Sequence, residues 1–252
     1  MSNIIQSLWI GGDLSKMEQL SIQSFLDNDH EYHLYVYDNV NNVPKGTIIK
    51  DANEILNKNE IFRYKNGSVS AFSNLFRFTM LYKKGGYWAD TDLICLKPFH
   101  HNQDFVIATE TNTQYNKDII TSCFLKMPIN SQEALEGIRI QRINKFKILS
   151  GEMQWGSGPS CVKSIVEKFN LQKYLLKWNS VCSCSWSHFD SFLNSNYIKP
   201  NEKIINKFDE IPENMVAIHL WNEIWRRNNL DKNAIYDKNS IYEKLKDKHK
   251  IN

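Results

Sequence analysis

Residues 85–98 of the chain read GGYWADTDLICLKP. Two aspartates, Asp90 and Asp92, interrupt a segment whose aromatic and aliphatic residues are typical of a buried strand. Buried carboxylates need partners, and two that converge repel each other unless a cation or a proton lies between them. The stretch therefore predicts one of two structures. It is either a site for a hard divalent ion such as Mg²⁺ or Mn²⁺ at the end of a strand, or a surface turn with two solvated acids.

The segment before it, residues 70–84, reads SAFSNLFRFTMLYKK and has the apolar spacing of a helix. Asn74 and Arg77 are three residues apart and Ser73 and Arg77 are four apart, so these side chains share one face. An arginine among apolar neighbours needs an anion. Two interpretations stay open: an ion pair between Arg77 and one of the aspartates, or a contact with a substrate hydroxyl or phosphate.

The rest of the chain alternates strand and helix patterns, which predicts an α/β fold with a largely parallel sheet. We expect strands at 3–12, 30–39, 47–52, 87–96, 105–110 and 215–221, and helices at 15–29, 52–59, 70–84, 131–149 and 160–177. Residues 242–252 are expected to form a charged helix or a tail.

Three further segments carry candidate ligand-binding residues at expected strand or helix ends. LWIGG at 8–12 offers Trp9 to stack on a flat base, although a core tryptophan followed by a turn is the commoner pattern. GEMQWGSGPS at 151–160 offers backbone N–H groups to a phosphate, or is a simple loop. HLWN at 219–222 offers His219 as a third metal ligand, or as a structural histidine.

Composition limits the class of protein. The 252 residues, 42% hydrophobic and 23% charged, predict an ordinary globular domain, and a formal net charge of +3 gives no reason to expect nucleic acid as a partner. The chain starts without a secretory pattern and has no apolar run of membrane-spanning length, so we expect a cytoplasmic protein. The charged C-terminal segment predicts at most peripheral membrane contact.

The five cysteines follow no zinc-binding spacing. Cys182 and Cys184 leave a thiol pair or a metal site open, but unpaired reduced thiols are the favoured interpretation.

Residues 73–92, SNLFRFTMLYKKGGYWADTD, together resemble the DXD-motif sugar transferases. That family includes fungal initiating α-mannosyltransferases, α-1,4-galactosyl- and N-acetylglucosaminyltransferases, bacterial capsule transferases and the glucosyltransferase domains of large clostridial toxins. LWIGG, GSGPS and HLWN are similar to its opening strand, later loop and closing segment.

The resemblance implies a GT-A type α/β fold: a Rossmann-like nucleotide-binding sheet with additional helices on the acceptor side. It implies one domain over 1–252, with residues 1–110 mainly the donor half and 111–252 mainly the acceptor half and the closing metal-site segment. The implied reaction moves a sugar from a nucleotide sugar, UDP favoured over GDP, to a glycan or other hydroxyl acceptor. The implied stereochemistry is retention, giving α-linked products, and the implied cofactor is Mn²⁺ or Mg²⁺.

The resemblance also implies residue roles. The residues implied to bind the donor are Trp9, Ile10, Gly11, Ser73, Asn74, Arg77, Trp88, Asp90 and Trp221. Those implied to hold the metal are Asp92, Asp90, His219 and Asn222, and the catalytic set is Asp90, Asp92, Arg77 and Asn74.

One position departs from the family pattern, which usually has aspartate where this chain has Asn74. Asparagine still exchanges hydrogen bonds with sugar hydroxyls but supplies no negative charge. Asn74 therefore keeps a non-catalytic nucleotide-sugar- or sugar-binding module as an alternative. A metal-dependent phosphohydrolase that uses the same aspartates is a second alternative, although the sequence offers no convincing set of the further acids or histidines it would need.

Overall fold

The computed structural model of the protein describes residues 4–112, 117–182, 184–199 and 204–251. Residues 3 and 252, the outermost positions of the first expected strand and of the expected C-terminal helix or tail, lie outside the described residues. The strands are β1 Ile5–Trp9, β2 Tyr32–Val36, β3 Ile48–Asp51, β4 Gly86–Ala89, β5 Leu93–Cys95, β6 Val106–Asn112, β7 Lys117–Met127 and β8 Ala217–His219. The helices are α1 Lys16–Leu26, α2 Ser70–Lys84, α3 Gln132–Ser150, α4 Ser157–Phe169, α5 Asn222–Arg227 and α6 Ile241–Lys248.

The central sheet has six strands in the order β3–β2–β1–β4–β7–β6. Strands β1 to β4 pair in parallel, whereas β7 pairs antiparallel with both β4 and β6. The mostly parallel α/β sheet that the sequence predicts is confirmed. Because β1 and β4 are parallel neighbours, their carboxyl ends meet at one edge, where Trp9 ends β1 and Asp90 follows β4.

Neighbouring side chains of β4 enter different layers of the molecule. Trp88 packs with the cluster that contains Phe76 of α2, whereas Tyr87 packs with the cluster that contains Phe25 of α1. Helices thus cover both faces of the sheet, as a parallel sheet requires. The layer that contains α2 lies directly beside the segment that follows β4.

The end of α2 fixes the start of β4. Gly85 has φ of 65°, in the left-handed region that favours glycine. A Cβ at Gly85 would lie 2.7 Å from the backbone nitrogen of Ile129, so any side chain there would collide with the chain that follows β7. The glycine therefore allows the helix and the strand to stay close to β7.

The expected single strand over 87–96 is wrong. The chain forms β4, turns at 90–92 and then forms β5, which pairs antiparallel with β8 in a separate two-stranded sheet. The N–H of Leu93 donates to the carbonyl of Asp90 at 3.1 Å and closes the turn. The two acids leave the strand because a continuous strand would bury both carboxylates without the ligands that a turn can bring to them.

Three other expectations need correction. The helix expected at 160–177 is α4, which begins at Ser157 inside the glycine-rich segment and ends at Asn170, a residue in the left-handed conformation with φ of 55°. The helix expected at 52–59 is two single turns of 3₁₀ helix, Ala52–Glu54 and Lys58–Glu60. Strand β7 was not predicted, because its polar residues hide the strand pattern.

Among the residues that the structure describes, none of the helices has both the length and the apolar character needed to cross a membrane.

Candidate functional site

The site begins with an ion pair between α2 and the turn after β4. Nη2 of Arg77 donates to Oδ1 of Asp90 at 2.6 Å, and Nε1 of Trp88 donates to the same oxygen at 2.7 Å. The Arg77 guanidinium also lies over the Trp88 ring, 4.8 Å from its centre. Only 3% of Arg77 is exposed, so its charge and that of Asp90 are strongly coupled.

Asn74 extends this contact towards α4. Its Oδ1 accepts from Nη1 of Arg77 at 3.1 Å, and its Nδ2 donates to Oγ of Ser157 at 2.9 Å. The hydroxyl of Tyr64 donates to the same Ser157 oxygen at 2.7 Å. A Cβ at Gly158 would lie 2.6 Å from Asn74 Oδ1, so a glycine is needed where α4 begins against α2. The amide of Asn74 uses both its donor and its acceptor in these contacts.

Asp92 lies at the start of the small second sheet. Its Oδ2 accepts from the backbone N–H of Asn222 at 2.7 Å and lies 3.3 Å from Nε2 of His219. Burial acts to raise the pKa of Asp92, but the His219 imidazole and the Asn222 N–H outweigh it and hold that pKa below its usual value. Asp92 is therefore a buried carboxylate that stays ionised.

Asp90 behaves differently. Burial raises the pKa of its carboxyl to about 6, and the nearby Asp92 charge adds to that rise, although Arg77 lowers it. The carboxyl groups of Asp90 and Asp92 thus differ in proton affinity. Asp92 has the buried imidazole of His219 beside it, whereas Asp90 shares the Arg77 guanidinium with Asn74.

The carboxylates of Asp90 and Asp92 and the imidazole of His219 each offer one atom within 4.8 Å of the others. Carboxylate oxygen and imidazole nitrogen are ligands that suit Mn²⁺ and Mg²⁺, so the residues present fit such an ion. Asn222 reaches the cluster through its backbone N–H, which donates to Asp92.

Trp221 connects the cluster to α5. It has φ of 61°, a left-handed conformation that is unusual and strained for a bulky residue. Its ring lies 4.0 Å from the imidazole of His219, centre to centre, and its buried Nε1 has no hydrogen-bond partner in the described part of the chain. The strained turn thus places an indole against the imidazole of His219.

Two cavities meet at the acids. The first, of about 660 Å³, is lined by Trp9, Ile10, Ser73, Arg77, Trp88, Asp90, Asp92 and Asn222, together with Glu223, Arg226 and Lys232. The second, of about 450 Å³, is lined by Asn74, Arg77, Asp90, Asp92, Glu110, His219 and Trp221, together with Trp155, Ser157, Trp186 and Arg227. Arg77, Asp90 and Asp92 belong to both cavities.

The sequence-predicted residues divide between these cavities. The first contains Trp9, whose Nε1 donates to the carbonyl of Gly12 at 2.8 Å and whose ring lies 5.6 Å from Nζ of Lys232. Gly11 does not line either cavity, but a Cβ there would lie 3.5 Å from the Trp9 indole. The second contains Asn74, His219 and Trp221. The predicted donor-binding set is therefore spread over two connected spaces.

Glu110 is a site residue that the sequence analysis missed. It is 7% exposed, and burial raises its pKa to about 7 although His219 lowers it. Its Oε2 has no hydrogen-bond partner among the described residues. The only signal in the sequence was an acid at the end of an otherwise apolar strand. Trp155 and Trp186, which line the same cavity, gave none beyond their residue type.

Residues 15–118 match the family described as the glycosyltransferase sugar-binding region containing the DXD motif. No curated protein sequence is significantly similar to the chain. Among solved structures, the chain is similar to the apo form of the glycosyltransferase GlyE of Streptococcus pneumoniae, at 13% identity and a TM-score of 0.50, over 92% of this chain and 61% of GlyE. The chain thus spans less than two thirds of the length of GlyE.

Two further solved structures are also similar. The PaToxG glycosyltransferase has 15% identity and a TM-score of 0.47, over 69% of this chain and 74% of that one. The UDP-bound glycosyltransferase domain of the YGT toxin has 12% identity and a TM-score of 0.44, over 96% of this chain and 81% of that one.

The fold is a glycosyltransferase fold of the GT-A type. Residues 15–118, which carry α2, β4 and the two aspartates, are similar to the sugar-binding region of the DXD-motif glycosyltransferases.

Proposed function

We propose that the protein moves a sugar from a nucleotide-sugar donor, preferably a UDP-sugar, to a hydroxyl of a glycan or other acceptor, with retention and with Mn²⁺ or Mg²⁺ as cofactor. One observation carries the proposal. Asp90, Asp92 and His219 offer ligand atoms within 4.8 Å of one another where two cavities meet, so an ion held there would lie between a donor and an acceptor.

The first cavity is proposed to hold the nucleotide sugar. Trp9 would stack on the base beside Ile10 and Gly11, and Trp88 would line the pocket. Ser73 and Arg77 would bind the sugar or the phosphates. Arg77 suits that role because its guanidinium is already oriented by Asp90 and Asn74, so little side-chain freedom is lost on binding.

The metal ligands are proposed to be Asp92 and His219, with Asp90 and Asn222 completing the shell directly or through water. When bound, a divalent ion would stabilise the negative charge that grows on the leaving diphosphate. Asp92 is suited to this because it stays ionised when buried.

The second cavity is proposed to hold the acceptor. Its tryptophans, Trp155, Trp186 and Trp221, offer flat apolar faces, and Glu110 offers a carboxyl to a hydroxyl. In this arrangement the acceptor hydroxyl loses its proton to the leaving phosphate on the same face of the sugar, which gives retention without a covalent enzyme intermediate.

We propose that residues 1–252 form a single domain, in which 1–110 are mainly the donor half and 111–252 mainly the acceptor half. The first cavity draws most of its wall from the first half, and residues 222–232 of the second half close it. The closing segment would therefore contact both substrates.

The test is a thermal-shift screen of UDP-sugars and GDP-sugars with and without Mn²⁺, followed by product analysis. We expect a rise in Tm with one UDP-sugar that depends on Mn²⁺, and transfer of its sugar to an added acceptor. Binding without transfer across a broad acceptor panel would indicate a non-catalytic module. Release of inorganic phosphate without sugar transfer would indicate a phosphohydrolase.

A further inference from the structure

A second cluster of metal-binding side chains lies next to the carboxylates. It consists of Cys123 in β7, Cys182 in the loop before β8, and His219 in β8. Each residue offers one ligand atom, and the three atoms lie within 4.8 Å of one another. The exposed fractions of the three residues are 1%, 0% and 6%. The three side chains are thus nearly buried, and Cys123 and His219 lie in the lining of the second cavity.

Backbone hydrogen bonds hold the three segments in place. The carbonyl of Cys123 accepts from the N–H of Asp90 at 2.8 Å, and the N–H of His219 donates to the carbonyl of Val181 at 3.1 Å. Each ligand therefore comes from a different segment whose position is fixed independently of any ligand. Such preorganisation reduces the cost of binding.

The histidine is oriented for a ligand on the thiol side. Its Nε2 lies 3.3 Å from Oδ2 of Asp92, whereas its buried Nδ1 makes no hydrogen bond of good geometry and has the Cys123 thiol as its neighbour. A metal ion between the thiols and this nitrogen would satisfy it better than the thiol does. Histidine ligands commonly donate their other ring nitrogen to a carboxylate, and Asp92 stands where that carboxylate is needed.

The chemistry of the donor set selects the ion. Two sulfurs and an imidazole suit Zn²⁺, which takes thiolate and imidazole ligands in a tetrahedral arrangement, and suit Mg²⁺ poorly. We propose that Cys123, Cys182 and His219 form a Zn²⁺ site, separate from the carboxylate site and joined to it through the shared imidazole. Binding converts the two thiols to thiolates and releases their protons to solvent, with no change of oxidation state.

The site also predicts a link between the two ions, and this part rests on the proposed function. With one nitrogen on Zn²⁺ and the other donating to Asp92, the His219 imidazole is no longer available to Mn²⁺. Zinc therefore opposes Mn²⁺-dependent transfer.

The binding test uses the full chain, freed of metal with a chelator and kept reduced, titrated with Co²⁺ as a spectroscopic substitute for Zn²⁺. We expect a thiolate-to-cobalt charge-transfer absorption that Zn²⁺ abolishes. Cys123→Ser and Cys182→Ser should each weaken that absorption, because one thiolate remains, and each should lose at least about tenfold in Zn²⁺ affinity. The matched control is Cys161→Ser, a buried thiol in a different cluster of the core, which should bind as the unmodified protein does.

Two further measurements distinguish loss of the zinc site from a failure to fold and from failure of the proposed sugar transfer. If either serine variant fails to fold, the zinc site is tested by alkylating the unmodified protein and measuring the modification of each cysteine by mass spectrometry. Zn²⁺ should slow the modification of Cys123 and Cys182 but not that of Cys161. Asp92→Asn should keep the charge-transfer absorption while losing Mn²⁺-dependent transfer. Cobalt binding without that absorption, or the same absorption in Cys123→Ser, would overturn the zinc site and leave the carboxylate site untouched.

Discussion

Nη2 of Arg77 lies 2.6 Å from Oδ1 of Asp90, thirteen residues further along the chain, and both groups lie at the junction of two cavities. The pair joins helix α2 to the turn that carries the acids. We expect Arg77→Lys to lower the free energy of unfolding by about 1–3 kcal/mol, because lysine has no planar fork to reach Asp90 and Asn74 together. Donor affinity should fall as well. Urea denaturation and donor titration measure the two effects. In Arg139→Lys, an exposed pair on α3, we expect no measurable change.

The Asp92 carboxylate is predicted to be required for metal-dependent transfer. Asp92→Asn keeps an oxygen that accepts from the Asn222 N–H but removes the charge that would bind the cation. We expect the fold to be retained and metal-dependent transfer to fall about a hundredfold or more. Turnover is compared at saturating Mn²⁺ with that of Asp209→Asn, an exposed acid. Turnover like that of the unmodified protein would remove Asp92 from the proposed mechanism.

Two substitutions at Asn74 test whether its side chain stabilises the fold through hydrogen bonds or through the absence of a charge. Asn74→Leu removes one hydrogen bond from Arg77, which keeps Asp90, and one from Ser157, which keeps Tyr64. The loss should cost about 1–3 kcal/mol of unfolding free energy. Asn74→Asp should cost less, since the Ser157 hydroxyl can turn to donate to a carboxylate. Chemical denaturation of both variants checks the order. Equal losses in the two variants would contradict the hydrogen-bonding role.

Gly158 is predicted to be intolerant of a side chain. Its Cβ would lie 2.6 Å from both Asn74 Oδ1 and Ser122 Oγ, so Gly158→Ala must displace α4 or the Asn74 side chain. We expect a loss of about 1–3 kcal/mol of unfolding free energy. Gly12→Ala is the matched control, because a Cβ at Gly12 meets nothing within 4 Å. If both variants unfold at the same denaturant concentration, the contact at Gly158 is not limiting.

The raised pKa of the Glu110 carboxyl predicts that the free energy of unfolding depends on pH. Its pKa is raised from 4.5 to about 7 by burial, so the folded protein holds a proton that the unfolded chain has released between those values. Stability contributed by the protonated form is therefore lost as the pH rises from about 4.5 to about 7. Glu110→Gln cannot lose a proton. Its stability relative to the unmodified protein should rise over that window by at most about 3.5 kcal/mol, at about 1.4 kcal/mol per pKa unit.

The measurement for Glu110→Gln is denaturation at several pH values in the presence of a chelator. Glu167→Gln, at an exposed position, serves as the control and should show a constant difference from the unmodified protein. A constant difference for Glu110→Gln as well would show that the carboxyl titrates alike in the folded and unfolded chains.

Much of the donor side could be predicted from the sequence because its signals are local. Arg77 and the two aspartates lie within one helix, one strand and one turn, where spacing decides which side chains share a face. The same local rules predicted α2 at its observed bounds, Ser70–Lys84. They failed for the single strand over 87–96, because the choice between one strand and two depends on β8, more than a hundred residues away.

The rest depends on contacts between distant segments. Glu110 faces a cavity whose other walls are α4 and the start of α5, and nothing near it in the sequence marks it as a site residue. The cysteines show no zinc-binding spacing, yet folding brings Cys123 and Cys182 together with His219. By itself the sequence determined the α/β class, helix α2, the acids of the turn and their arginine, because these follow from residue type and short-range spacing. Only the tertiary structure decided which buried groups share a space, since that depends on how separate strands meet in the two sheets.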